Sequence, residues 1–269
     1  MKRRGLDAFF WVGAAFLGLL LVFAVVGPTF RHDFLDQVGR PYEPPGARFW
    51  LGTDELGRDV FARLAYGARV SLQVGLTVQF LALVVGVVVG VLGVLGRRWM
   101  AGPLMRLTDG MFAFPDILLA ILIIGVWDRG MFPVIVALSV TAWPSVARLV
   151  RGQVATLKDR EFVIAAQAMG ARTPYLVVRH MLPHLVGVLL AVSMIDLAGV
   201  ILAESALSFL GIGVQSPIPS WGSMINGARV NMNSYPLLLL WPCLLLSLTI
   251  FALNFVGDGL RAAFDPRSK

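Results

Sequence analysis

Residues 161–184 read EFVIAAQAMGARTPYLVVRHMLPH and lie between two long apolar runs. How they are read decides the architecture. Phe162, Ala165, Ala166 and Met169 fall at i, i+3, i+4 and i+7, so a helix would carry them on one face. Asp159 stands where a cap belongs, and Glu161 suits the positive end of that helix. Gly170 is the residue type that ends a helix in the left-handed conformation. Thr173-Pro174 then reads as N-cap and first residue of a second helix, and Leu182-Pro183 is expected to break it before the next run. The first helix, of about ten residues, would be roughly 15 Å long. Its face of small residues beside one Phe and one Met suits a groove in a partner. It equally suits packing beneath the chain's own helices.

The surroundings are those of a membrane protein. The chain has 269 residues, 57% of them hydrophobic and 14% charged; soluble domains carry about 25% charged residues. Crossing the hydrocarbon takes about 20 mostly apolar residues. Six runs qualify: Ala8–Gly27, Val70–Leu95, Leu107–Trp127, Met131–Ala147, Leu185–Leu210 and Leu237–Val256. The fold class expected is all-α, with six transmembrane helices. Residues 1–69 would hold the N-terminal tip, the first span and an outer segment. Residues 70–269 would hold a five-helix core with the loop 148–184. The first run follows Lys2, Arg3 and Arg4, but it is too long for a signal peptide and no small-residue cleavage site follows.

The net charge of +7 is explained by where the charges sit. With the N-terminus inside, the inner segments 1–7, 96–106, 148–184 and 257–269 hold three, three, six and three Lys and Arg. The outer segments 28–69, 128–130 and 211–236 hold six, one and one. The first of these also carries six acids, so it is neutral. That is the positive-inside bias, with both termini cytoplasmic, and it leaves no call for nucleic acid. The loop 148–184 then lies in the cytoplasm.

Several chemistries are excluded by residue type. The lysines are Lys2, Lys158 and Lys269, and none follows a glycine. A phosphate-binding loop of the Gly-Lys-Ser/Thr kind is therefore absent, and any ATP-driven work needs a separate engine. Cys243 is the one cysteine, and His32, His180 and His184 have no metal-ligand spacing. Ser205 and Ser208 lie near Glu204 without a histidine to activate them.

Acids inside the runs are the candidates for a translocation route, because a charge in the bilayer faces protein or water. Asp116, Asp196 and Glu204 are the three. Asp109 and Asp116 are seven apart, on one face of a continuous helix. Asp196 and Glu204 are separated by about 80° around theirs. A route-lining acid would meet a substrate amine or cation; the alternative is hydrogen bonding between helices. Gly86 and Gly90 form a G-x-x-x-G pair suited to close helix contact.

The loop resembles the cytoplasmic EAA loop of permease subunits in bacterial ABC importers. Ala165, Ala166, Gly170, Leu182 and Pro183 match that motif, while Ile164 replaces its glutamate and His180 its isoleucine. Glu161 lies one turn before the missing glutamate. LGTDELGRDV at 51–60, ILAESALSFLGIG at 201–213, PSWG at 219–222 and NFVGDGLRAAFDPR at 254–267 extend the likeness to nearly the whole chain. Together they are similar to the "C"-type permeases of the dipeptide, oligopeptide and nickel importer group, though Ala262 stands where that type commonly has Asp. The resemblance implies a type I importer subunit in the bacterial inner membrane. Its pathway would form with a second, homologous permease and carry peptides, or alternatively nickel or glutathione. It implies two ATPase subunits, which bind ATP and Mg, and an extracytoplasmic solute-binding protein received by the outer segments. It assigns ATPase coupling to Glu161, Phe162, Ala165, Ala166, Met169, Gly170 and Pro183, with no cofactor or metal in this chain. A proton-driven secondary transporter, the rival of another class, would show an internal repeat, and none is evident.

Overall fold

The computed structural model describes residues 7–30, 32–127 and 129–264. The basic tip Lys2, Arg3 and Arg4, and Arg267 and Lys269 at the other end, lie outside the described residues. The helices in chain order are α1 (Ala8–Val26), α2 (Val60–Leu95), α3 (Arg98–Met111), α4 (Asp116–Gly125) and α5 (Met131–Leu157). They continue with α6 (Glu161–Ala168), α7 (Thr173–Tyr175), α8 (Leu182–Phe209), α9 (Trp221–Arg229) and α10 (Pro236–Phe264). Among the described residues there is no strand, only the isolated bridges Gln37–Arg58 and Thr53–Asp59. The chain is all-α.

Five segments are long and apolar enough to cross a membrane: α1, α2, α5, the continuous Thr173–Phe209 and α10. The third expected span, Leu107–Trp127, is not one helix. α3 and α4 meet at a bend of 95°, and the break separates Asp109 from Asp116 instead of aligning them on one face. Pro115 causes it, as N-cap of α4 in extended conformation. A proline lacks the N–H that would continue α3 and drives the preceding residue out of the helical region. α4 alone, ten residues, spans about 15 Å, half the hydrocarbon thickness.

The opposite correction applies at Pro183, where a break was expected. The chain passes from α7 through a π-helical turn, Leu176–Met181, straight into α8. Pro183 sits in the first turn of α8, and the wider π turn takes up the bonding register where the proline donates no N–H.

α2 is the central post, packed along α5 and against α8, with α10 joining α8 to α1. The α2–α5 contact is as close as glycine allows: a Cβ on Gly90 would lie 2.7 Å from both the Ala147 carbonyl oxygen and the Val150 side chain. Gly86 abuts Val146 in the same way. The G-x-x-x-G pair is thus a packing surface, since without a hydrophobic drive between spans in lipid the backbones gain by approaching closely.

The segment between α1 and α2 has more structure than its prolines suggest. Phe49 is buried. Asp54 holds Arg58 (Nε–Oδ2 2.6 Å) and Arg63 (Nε–Oδ2 3.2 Å). Asp59 accepts from the Phe61 N–H as cap of α2 and meets His32 at 3.1 Å. The Tyr42 ring stacks on Tyr235 at 4.1 Å, and the Asn231 amide donates to the Tyr42 hydroxyl. The segment is therefore a cap fastened to the α9–α10 connection.

Candidate functional site

Two places gather the residues singled out in the sequence. The first is the elbow formed by α6, the turn after it and the start of Thr173–Phe209. α6 begins at Arg160, which makes no side-chain cap bond; Asp159 does not cap it. Its end is a Schellman turn: the Gly170 N–H donates to the Gln167 carbonyl and the Ala171 N–H to the Ala166 carbonyl. Gly170 takes φ +85° there, the conformation that favours glycine. The restart falls one residue earlier than expected, with Arg172 as cap and Thr173 as first helical residue.

The faces of α6 are divided. Val163 and Ala166 (4% exposed) turn inward. Val163 joins Val150 and Val154 of α5 and Met181 and Leu185 of the long helix in one core. The helix is thus rooted in two spans at once. Phe162, Ile164 (52%), Ala165 and Met169 (83%) turn outward. Of the four residues expected on one contact face, three point out and Ala166 points in. Phe162 stacks on His184 at 4.8 Å, and the His184 Nδ1–H donates to the His180 carbonyl at 2.7 Å. Glu161 and Phe162 border an 820 Å³ hollow with Arg160, His184 and Phe264. Pro183 lies behind, in the helix.

The second place is a cavity of 270 Å³ between α2, α4, α5 and α8. Asp116 and Asp196 both line it, together with Gln79, Thr141 and Ser145. Asp116 opens α4, where its charge meets the positive end of that half-length helix. The sequence reading missed Gln79. The available signal was position: it is the last polar residue before the unbroken apolar stretch Phe80–Leu95.

Glu204 is elsewhere. It is 0% exposed and does not line that cavity. Its carboxylate accepts from the hydroxyls of Ser208 (2.8 Å), Ser71 (3.1 Å) and Ser205 (3.4 Å). Ser208 also accepts from the Val214 N–H, so the cluster ties α8 to α2 and to the loop that follows. Nearby, Trp221 is fully buried and donates from Nε1 to the Leu64 carbonyl.

The chain is similar to known proteins. Residues 82–269 match the family described as "Binding-protein-dependent transport system inner membrane component". The chain is 38% identical to the oligopeptide transport system permease protein OppC of Bacillus subtilis, over 95% of this chain and 85% of that one. It is 40% identical to the dipeptide permease protein DppC of the same organism, over 95% and 81%. It is 37% identical to the glutathione permease protein GsiD of Pectobacterium atrosepticum, over 95% and 87%. Among solved structures, the inward-facing MetNI methionine ABC transporter superposes with a TM-score of 0.62 at 22% identity, over 74% of this chain and 95% of that one. That likeness concerns the fold alone. The sequence kinship, the all-helical bundle and the rooted elbow converge: the chain belongs to the family of binding-protein-dependent transport system inner membrane components, the multi-pass permease subunits of ABC importers.

Proposed function

We propose that this permease imports peptides, pairs with a second permease to form the pathway, and is driven by two separate ATPases through the α6 elbow. The peptide cargo follows the relatives, of which two are named for oligopeptides and dipeptides. A solute-binding protein delivers it to the outer cap, and ATP and Mg stay on the ATPases. Counting the bent α3–α4 pair as one crossing gives six spans and puts both termini in the cytoplasm. The excess of Lys and Arg on the segments that would then be inside supports this orientation.

One observation carries the coupling role. α6 keeps two residues for the bundle and offers Phe162, Ile164, Ala165 and Met169 to the outside. Exposed apolar groups clustered on a short helix mark a protein contact, and an ATPase cleft is the occupant. When ATP binding closes the ATPases, a push on α6 passes through Val163 to the ends of α5 and α8. The bundle then reorients and the pathway opens outward; hydrolysis resets it. Asp116 and Asp196 line the route in this reading. Glu204 holds helices together.

The test is reconstitution of the permease pair, ATPases and binding protein in liposomes. Peptide-loaded binding protein should stimulate hydrolysis and drive uptake. Ala165→Arg and Met169→Arg alter the outward face alone and should abolish both while the chain still inserts. Full uptake by both variants would refute the coupling role.

A further inference from the structure

Gln79 is 5% exposed, and among the described residues neither its Oε1 nor its Nε2 has a hydrogen-bond partner. A buried amide with both ends unmet carries a desolvation penalty. It persists where a ligand or water meets it. The amide lines the cavity that also presents Asp116 and Asp196. Gln79, Asp196, Thr141 and Ser145 all lie near the middle of their helices, so the cavity lies midway along the spans.

The charges around it specify the ligand. Two acids face the cavity, and among the described residues no basic side chain lines it. The positive end of α4 offsets only about half a charge, so two acids with no basic partner favour a cation. The amide of Gln79 offers one acceptor and two donors, the complement of a peptide bond. At 270 Å³ the space is smaller than the roughly 300–1,000 Å³ of sites that enclose a whole small molecule. It suits one end of a chain.

We infer that Gln79, Asp116 and Asp196 form a transient subsite for the free ammonium terminus of the passing peptide, with Gln79 bonded to the adjoining amide. This rests on the peptide-importer reading above. The ammonium loses its water shell on entering the membrane, and the two carboxylates replace it. A single partly open cavity holds it loosely enough to let go, as conduction requires.

The experiment measures tri-alanine uptake by the complete complex in liposomes, with the binding protein saturated and its affinity for the peptide checked separately. Asp196→Asn should lower the maximal uptake about tenfold, the scale of one hydrogen bond to a charged partner, and Gln79→Leu about fivefold, the scale of a neutral one. Gln79→Glu gives up the amide's donors but keeps an acceptor and brings a third carboxylate to the ammonium, so it should stay within about twofold of wild type. A purely structural Gln79 predicts the reverse order. Leu would then remove an unmet amide at no cost, and Glu would bury a charge. Harmless Gln79→Leu, or equal losses for Leu and Glu, overturns the subsite. Should Gln79→Glu fail to assemble, Asp196→Asn decides, since it is nearly isosteric. Lowered uptake in an assembled complex supports the subsite, and unchanged uptake overturns it. A wild-type complex that neither imports tri-alanine nor hydrolyses ATP faster with it defeats the peptide-importer reading instead.

Discussion

Asp196 and Glu204 stand eight residues apart on the same helix, and their surroundings are opposite. Glu204 has no exposed surface and accepts from three serine hydroxyls on two helices. Asp196 is half-buried and opens on a cavity that also holds an unmet amide. An acid whose oxygens are all met by its own chain joins helices. An acid that faces a cavity has capacity left for something else. The difference lies in the neighbours, since both are carboxylates in an apolar run.

The comparison breaks most readily at Glu204. Replacing it with alanine orphans the serine hydroxyls and leaves a void, so the purified permease should lose about 2–4 kcal/mol against unfolding in detergent. Thermal unfolding of the solubilised protein measures this. A loss below about 1 kcal/mol would remove the joining role.

The cluster also depends on α9 lying close. A Cβ on Gly222 would run into the backbone of Ser205. Gly222→Val should therefore cost about 1–3 kcal/mol as overpacking, read by the same melt. Ser71→Ala removes one bond between α2 and α8 and should cost about 0.6 kcal/mol, the average for such bonds within membranes. Smallest is Glu204→Gln, which preserves shape and one acceptor oxygen, while the new amide N–H can donate to serine hydroxyls that rotate to accept it. With the bonds reversed and not lost, stability should change by no more than about 0.5 kcal/mol, the lower end for one hydrogen bond, and uptake should be unaltered. Reduced uptake at unchanged stability would return Glu204 to the route and erase the contrast with Asp196.

The elbow was more legible than the acids. Its turn was readable because glycine at 170 and proline at 174 constrain the backbone by themselves, and φ +85° at Gly170 is the outcome. Two prolines show the limit of that reasoning, Pro115 inside an apolar run and Pro183, expected to break a helix. At Pro115 the apolar run continued and hid a 95° bend. At Pro183 the break signal was answered by a π turn, which tertiary packing sustains through buried Met181 and Leu185. The division of α6 into a rooted side and an outward side was out of reach for a similar reason. Ala165 and Ala166 are the same residue, and only the positions of α5 and the long helix decide which one is buried.

The sequence by itself determined the class, the number of apolar runs, the charge asymmetry and the place of the elbow. These follow from length, hydropathy and backbone chemistry, which are properties of contiguous residues. The tertiary structure alone decided which acid is held by serines and which faces a cavity, and it alone brought Gln79 of α2 beside Asp116 of α4 and Asp196 of α8. The physical reason is rotational. A span apolar on every side fixes its own length but not which side meets its neighbours, and that angle is set only when the other helices pack.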